Sequence, residues 1–439
     1  MTKSEPKQKL LAKKSHSISG NVSVPGDKSI SHRAVILSMI SQQTTKIFNI
    51  LDSTDISRSL NTAMNLGIEC KKKDGFIEIK GNGLHGLTSP KKELYFGNSG
   101  TAMRLFMGVL AAQKFPSTLI GDTSLNKRPM ERVALPLRNM GAYIEMENDH
   151  APVQIYPAEQ ILGCKHTLSI PSAQIKSAIL LAALYANSET AVTYNSITRN
   201  HTELMLESFG RPISYNDHEI KITNGELKGR EAITIPGDFS SASFLILATL
   251  MSKDSEILIK NVGLNPTRTG FLKILQMMGG DITVTTDPNS NFEIQGNIKI
   301  RSSKLQGINV PNNLISLSID ELPLVFLAAA FANGTTTIRN ASELRLKESD
   351  RITAMAKLLT KLSIEVKELK DGLIIKGGTI TGGEIDSFGD HRIAMTALIA
   401  SVCSKSDILV HNTTNIDTSF PTFVKTMNQI GMNITKQDI

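Results

Sequence analysis

A few short segments of this sequence gather positive charge and small polar residues of the kind that captures anions. "VPGDKSISHR" carries Lys28, Ser29 and Arg33. It is not a nucleotide P-loop, which needs G-x-x-x-x-G-K-[ST] so that backbone N–H groups wrap the phosphates. Here one glycine, Gly26, and then Asp27 precede Lys28. "GNSGTAMR" combines Asn98, Gly100, Thr101 and Arg104, with Gly97 and Gly100 allowing a ligand close to the backbone. "SLNKRPMER" sets Arg128 before Pro129, a residue favoured in a first helical turn, so Arg128 is expected at a helix start. "IPSAQIKSA" supplies Ser172, Ala173, Gln174 and Lys176, and "GDHRIAM" supplies Asp390, His391 and Arg392. "ELRLKESDRITAM" holds Arg345, Lys347, Glu348, Asp350 and Arg351. The spacing of Lys347 and Arg351 would put two cations on one helical face, with Glu348 as a candidate proton carrier. "DELPLVF" places Asp320 and Glu321 ahead of an apolar helix, where Asp320 reads either as an N-cap or as a general base.

Composition narrows the setting. The 439 residues exceed one ordinary core, so two domains are expected. The net charge of +7 is spread along the chain and suits acidic small molecules. Nucleic acid is disfavoured, because Trp is absent and no basic run interleaves with Phe or Tyr. The basic start "KSEPKQKLLAKKS" lacks the apolar stretch of a signal peptide and reads as a frayed lead-in. No segment has the length and apolarity of a membrane span. Cys70, Cys164 and Cys403 are scattered, as in a reduced cytoplasmic protein. No His cluster, G-x-S-x-G or papain-like Cys context stands in the chain, and neither metal nor cofactor is expected.

Internal repetition shows which elements must hold these residues. An amphipathic helix, a Gly and a β-hairpin recur six times, at intervals of roughly 70–80 residues. The Gly falls at Gly67, Gly141, Gly210, Gly279 and Gly431, and Ser363 takes its place in the fifth copy. Glycine suits the left-handed position just past a helix. Ahead of each copy stand a polar loop, a nearly all-apolar helix and a short β-branched strand. A helix apolar on every side must be buried. Each unit therefore reads as β-α-β-α-β-β, three units to a domain, with buried helices inside and sheets outside.

The charged segments lie at the starts of the buried helices, where free N–H groups and partial positive charge favour anions. Capping accounts for Ser172, Ser240 and Asp320. It does not account for Lys28, Arg33, Arg104, Lys176 and Arg392, cations placed where the dipole disfavours them. As a set they point to a cleft that binds anions.

"LYFGNSGTAMR" and "RLKESDRITA" resemble the two signature segments of the 5-enolpyruvylshikimate-3-phosphate synthase family, the 3-phosphoshikimate 1-carboxyvinyltransferases. "PGDKSISHR", "SLNKRP", "IPSAQIKSA", "DELP" and "GDHRIAM" are similar to its other motifs, in the same order, so the resemblance covers essentially the whole chain. It implies an α/β (α+β) protein, a two-domain inverse α/β barrel-like fold. Residues 26–236 form one domain; residues 1–25 with 237–439 form the other. The implied reaction is addition of the 5-hydroxyl of shikimate 3-phosphate to phosphoenolpyruvate, then loss of phosphate from the tetrahedral intermediate, as in chorismate and aromatic amino-acid biosynthesis. The resemblance assigns Lys28, Ser29 and Arg33 to the shikimate phosphate side, with Lys28 also facing phosphoenolpyruvate. Ser172, Ala173 and Gln174 match a segment that holds shikimate 3-phosphate. Gly100, Arg128, Arg351 and Arg392 match the phosphoenolpyruvate site, and Asn98, Thr101 and Arg199 complete the binding set. Asp320 matches the base near the 5-hydroxyl; Lys347 and Glu348 match residues beside the reacting carbons. Closure on ligand binding, a cytoplasmic location and a monomer without nucleic-acid or membrane partners are the accompanying expectations. Leu105 and Ala173 depart from the best-known bacterial pattern and imply a subgroup less sensitive to glyphosate. Where some members carry a C-terminal Lys, "DTSFP" offers Thr418, and Lys425 is the nearest Lys. A sister family transfers enolpyruvyl to UDP-N-acetylglucosamine, and many of its members use a loop Cys. No Cys here lies in a charged loop motif, and Cys164 in "LGCKHTL" reads as a strand lead-in. A nucleic-acid-binding repeat protein is the non-enzymatic alternative.

Overall fold

The computed structural model describes residues 8–15, 17–216 and 218–437. The chain forms two compact units. One spans Gly26–Ile235; the other joins the N-terminal segment up to Pro25 to Pro236–Ile439. The first unit carries α1 (Lys28–Met39), α2 (Thr54–Asn65), α3 (Gly100–Leu110), α4 (Glu131–Asn139), α5 (Ala173–Ala183) and α6 (His201–Ser208). The second carries α7 (Phe239–Met251), α8 (Gly270–Met277), the short α9 (Asn312–Ile315), α10 (Leu322–Phe331), α11 (Arg351–Lys361), α12 (His391–Ile399) and α13 (Phe423–Gln429).

The apolar segments form the buried helices α1, α3, α5, α7, α10 and α12. All thirteen residues of α7 are buried, as an all-round apolar surface requires. Amphipathic helices cover them, and the sheets flank them with period-two burial, as in Thr190–Tyr194. The left-handed position past each amphipathic helix is filled as the spacing predicts. Gly67, Gly141, Gly210, Gly279 and Gly431 all have positive φ, and Ser363 adopts φ +67° in the fifth copy.

Each four-stranded sheet places a leading strand parallel to the strand after the buried helix. Leu94–Tyr95 pairs with Ser117–Ile120 in this way, and Lys165–Leu168 with Thr190–Tyr194. Two leading strands arrive from distant chain. Ala232–Thr234 lies parallel to Thr44–Phe48 in the first unit, and Ser19–Ser23 lies parallel to Glu256–Gly263 in the second. The fifth copy departs from the repeat. Its sheet has three strands, and the leading strand is reduced to isolated bridges, Gln306 with Asn333 and Asn309 with Thr337.

The N-terminal segment corrects the sequence reading. Lys9–Lys13 is not frayed but a strand between Ile408–His411 and Asn433–Gln437, antiparallel to both. Its Leu10 and Ala12 alternate into the core. Residues 1–7 of the segment lie outside the described residues.

One close approach of backbones positions two of the helix starts. A Cβ on Gly108 of α3 would stand 2.3 Å from the Ala178 carbonyl oxygen of α5. The two backbones therefore touch, and the starts of α3 and α5 are held side by side. Among the described residues no single helix is long and apolar enough to cross a membrane.

Candidate active site

In the first unit the charged segments meet at helix starts. Asp27 caps α1 by accepting from the Ile30 N–H at 2.9 Å, and Lys28 follows as the first helical residue. The Lys28 ammonium pairs with the buried carboxylate of Asp55 on α2 and stays 22% exposed. Arg199 donates to Ser29 Oγ at 3.4 Å. Ser172 caps α5 through the Ile175 N–H, as expected.

Contact between α3 and α5 builds a chain of hydrogen bonds. Gln174 donates from Nε2 to Thr101 Oγ1 at 2.9 Å and accepts on Oε1 from Arg104 at 2.6 Å. Arg104 also donates to the Pro129 carbonyl at 3.0 Å. Arg128 donates to Asn98 Oδ1, and Asn98 in turn donates to Asp122 at 2.8 Å. Arg128 is not at a helix start, however. It follows a 3₁₀ turn at Leu125–Lys127 in an extended conformation, and α4 begins only at Glu131, two residues beyond Pro129.

Two cations of this unit turn inward. Arg33 is 3% exposed and donates to Thr202 Oγ1 (2.7 Å), the Ser29 carbonyl (2.9 Å) and Ser177 Oγ (2.8 Å), tying α1 to α5 and α6. Lys176 is buried against Glu203 at 2.6 Å, with the Tyr194 ring 5.3 Å away. Its place near a helix start reflects a buried ion pair and not a surplus charge facing an anion.

His32 is a residue the sequence reading passed over. Its ring is buried between Ser59 Oγ of α2 (2.8 Å from Nδ1) and Ser99 Oγ (3.3 Å from Nε2). Ser99 also caps α3. Burial, then Lys28 and Arg33, hold the imidazole well below its usual pKa.

The second unit surrounds Arg351, which is 1% exposed. Its Nε donates to Asp390 at 2.8 Å, its Nη2 to Glu348 at 2.5 Å, and its Nη1 lies 3.7 Å from Asp320. Burial pushes the Asp390 carboxyl up, but the Arg351 charge and hydrogen bond outweigh it and hold the group below its usual range. Arg392 donates to the Asp320 carbonyl at 2.9 Å and to Ser240 Oγ at 3.2 Å. Burial lowers its pKa, and Arg351 nearby acts in the same direction. The partly exposed carboxylates Asp320 and Glu348 thus both lie beside Arg351.

Three sequence readings change here. Lys347 and Arg351 do not share a helical face: α11 begins at Arg351, capped by Asp350, while Lys347 is extended and lies 3.9 Å from Glu343. Asp320 is not a side-chain cap; Glu321 occupies the N-cap position of α10 and makes no cap bond. Ser240 is not the cap of α7 either, because Asp238 accepts from its N–H. Arg345 is spent on Asp350 and Glu368, the local ion pairing its surroundings suggest. Thr418 donates to the Asn415 carbonyl, and Lys425 is exposed on α13.

Each unit's cluster carries cations of a kind that suits anions, and that of the second unit also offers carboxylates of a kind that suits proton transfer. Among the described residues no three His, Cys, Asp or Glu side chains are grouped to hold a metal. Cys164 is half-buried against His166 Nε2 at 3.1 Å, and burial raises its thiol pKa.

Residues 12–427 match the family model described as EPSP synthase (3-phosphoshikimate 1-carboxyvinyltransferase). The chain is 44% identical over 419 residues to a 3-phosphoshikimate 1-carboxyvinyltransferase of Legionella pneumophila, covering 95% of this chain and 96% of that one. A Hydrogenovibrio crunogenus protein of the same description is 43% identical over 432 residues, covering 96% and 97%. The fold is similar to a solved EPSP synthase of Acinetobacter baumannii, with a TM-score of 0.88 and 41% identity, over 98% of this chain and all of that one.

Proposed function

Because the chain belongs to the EPSP synthase family, we propose that it is a 3-phosphoshikimate 1-carboxyvinyltransferase. It joins the 5-hydroxyl of shikimate 3-phosphate to C2 of phosphoenolpyruvate and then expels phosphate, a step of chorismate and aromatic amino-acid biosynthesis. The observation that carries this reading is the pair of partly exposed carboxylates, Asp320 and Glu348, beside the buried Arg351. Addition followed by elimination needs a group that takes the hydroxyl proton and a group that gives and removes a proton at carbon. Asp320 takes the first role; Glu348, with Lys347 beside it, takes the second.

The cations divide between the substrates. Lys28, Ser29 and Arg33 stand on the shikimate phosphate side, with Ser172, Ala173, Gln174 and Arg199 beside that substrate. Lys28, Gly100, Arg128, Arg351 and Arg392 receive phosphoenolpyruvate, with Asn98 and Thr101 bracing them. Arg351 is anchored on Asp390 and Glu348, which fixes its direction for recognition of an anion. The protein works in the cytoplasm as a single chain on these two small molecules, without a cofactor and without nucleic-acid or membrane partners.

The test is phosphate release from phosphoenolpyruvate with shikimate 3-phosphate or UDP-N-acetylglucosamine as co-substrate. Release is expected with the first only; release with the second alone overturns the assignment. Asp320→Asn should lower kcat by about 10²–10⁴-fold, the usual loss on removing a general base. Calorimetric binding of shikimate 3-phosphate should persist in that variant, and near-full turnover would remove Asp320 from the chemistry.

A further inference from the structure

We propose that Ser240, with Glu321 and Arg268, positions Arg392 for phosphoenolpyruvate; this rests on the reading that Arg392 belongs to the phosphoenolpyruvate site. A serine hydroxyl has one proton and two lone pairs, and a guanidinium can only donate. Ser240 Oγ lies 2.6 Å from Arg268 Nη2 and 3.2 Å from Arg392 Nη2. It therefore accepts from both arginines. Its proton is left for Glu321 Oε1, 2.5 Å away. Every hydrogen-bonding capacity of the hydroxyl is used, and the direction of each bond is fixed.

Glu321 supplies the charge that lets two guanidiniums share one oxygen. Its Oε1 also accepts from Arg268 at 3.1 Å and lies 3.7 Å from Arg392 Nη1. Its Oε2 is buried with no hydrogen-bond partner among the described residues, so the carboxylate is anchored through Oε1 alone. The far end of Arg392 is tied to the Asp320 carbonyl. Arg392 is thus held at two points, one on the hydroxyl and one on the main chain of the proposed base.

Fold stability is a poor explanation for this cluster. Buried ion pairs are often neutral or unfavourable beside apolar residues of equal volume. Arg268 and Glu321 are 4% and 1% exposed, so their remaining effect is on the groups they touch. Those groups include Ser240 and, for Glu321, Arg392.

The experiment compares Ser240→Ala, Ser240→Thr and Glu321→Gln with the wild type. It measures phosphate release, calorimetric binding of shikimate 3-phosphate and thermal unfolding. Losing a hydrogen bond to a charged group should raise the KM for phosphoenolpyruvate about tenfold or more in Ser240→Ala. Shikimate 3-phosphate binding should stay at the wild-type value, and Ser240→Thr, which keeps the hydroxyl, should restore the KM. If Ser240→Ala does not fold, Glu321→Gln carries the same expectation. An unshifted KM in the folded variants, or an equal loss of affinity for both substrates with a lowered Tm, overturns the proposal. A wild type that releases no phosphate would instead remove the functional reading beneath it.

Discussion

Gly100 stands at the first position of α3 without a positive φ, so its backbone does not require glycine. Space does. A Cβ there would lie 3.2 Å from Arg128 Nη1 and 3.7 Å from Arg104 Nη1. Gly100→Ala should therefore displace Arg128 and raise the KM for phosphoenolpyruvate while leaving the Tm nearly unchanged. The inhibition constant of glyphosate, a longer anion, should rise by a larger factor. A lowered Tm with equal shifts in both constants would show a backbone role instead. At this scale the sequence was readable where charge stands next to a helix start, as at Lys28 and Arg392. It was unreadable where a partner is distant in the chain. Asp55 against Lys28, Asp122 behind Asn98, and Arg268 and Glu321 around Ser240 leave no spacing to detect. Arg33 and Lys176 look like free cations in sequence, because the hydroxyls and the carboxylate that receive them are contributed mostly by α5 and α6.

The helices are positioned by a few polar pins between apolar faces. His32 joins α1 to Ser59 of α2 and to Ser99 at the start of α3. Its folded pKa lies well below 6.5, so the ring stays neutral where the unfolded chain already binds a proton. Between the folded value and about 6.5 the unfolded state holds more protons, and stability must fall as pH falls. From pH 7 to pH 5 the wild type should lose up to about 2 kcal/mol more than His32→Gln in chemical unfolding. Parallel pH profiles would show that the ring titrates normally. The six repeats themselves were legible, because a glycine past a helix recurs with the apolar pattern. Ser363 breaks the letter of that pattern and keeps its geometry, at φ +67°. The shortened leading strand of the fifth copy was not legible, because two isolated bridges need no β-branched run. Lys347 and Arg351 share no helical face, because Asp350 caps α11 and cuts Lys347 out of the helix.

For the whole molecule the hardest feature to foresee was Lys9–Lys13. Its lysines suggest a solvated tail, and its strand partners lie at the other end of the chain. A chain lacking residues 1–13 would leave Ile408–His411 with an unpaired edge and Asn433–Gln437 with no strand partner. It should unfold at a markedly lower temperature than the full chain; an unchanged Tm would make the strand dispensable. The same strand bears on how the protein is made. The ribosome releases Lys9–Lys13 well before its partners, a delay on the order of tens of seconds at cellular synthesis rates. Through that interval Leu10 and Leu11 travel with a nascent chain that has nothing to pair them with. The strand Ala232–Thr234, by contrast, emerges after its partner Thr44–Phe48 and can close its sheet at once. Translation speed and early-binding chaperones therefore act unequally on these two strands, and slow decoding of the message for Ile408–His411 and Asn433–Gln437 would prolong the exposure of Lys9–Lys13.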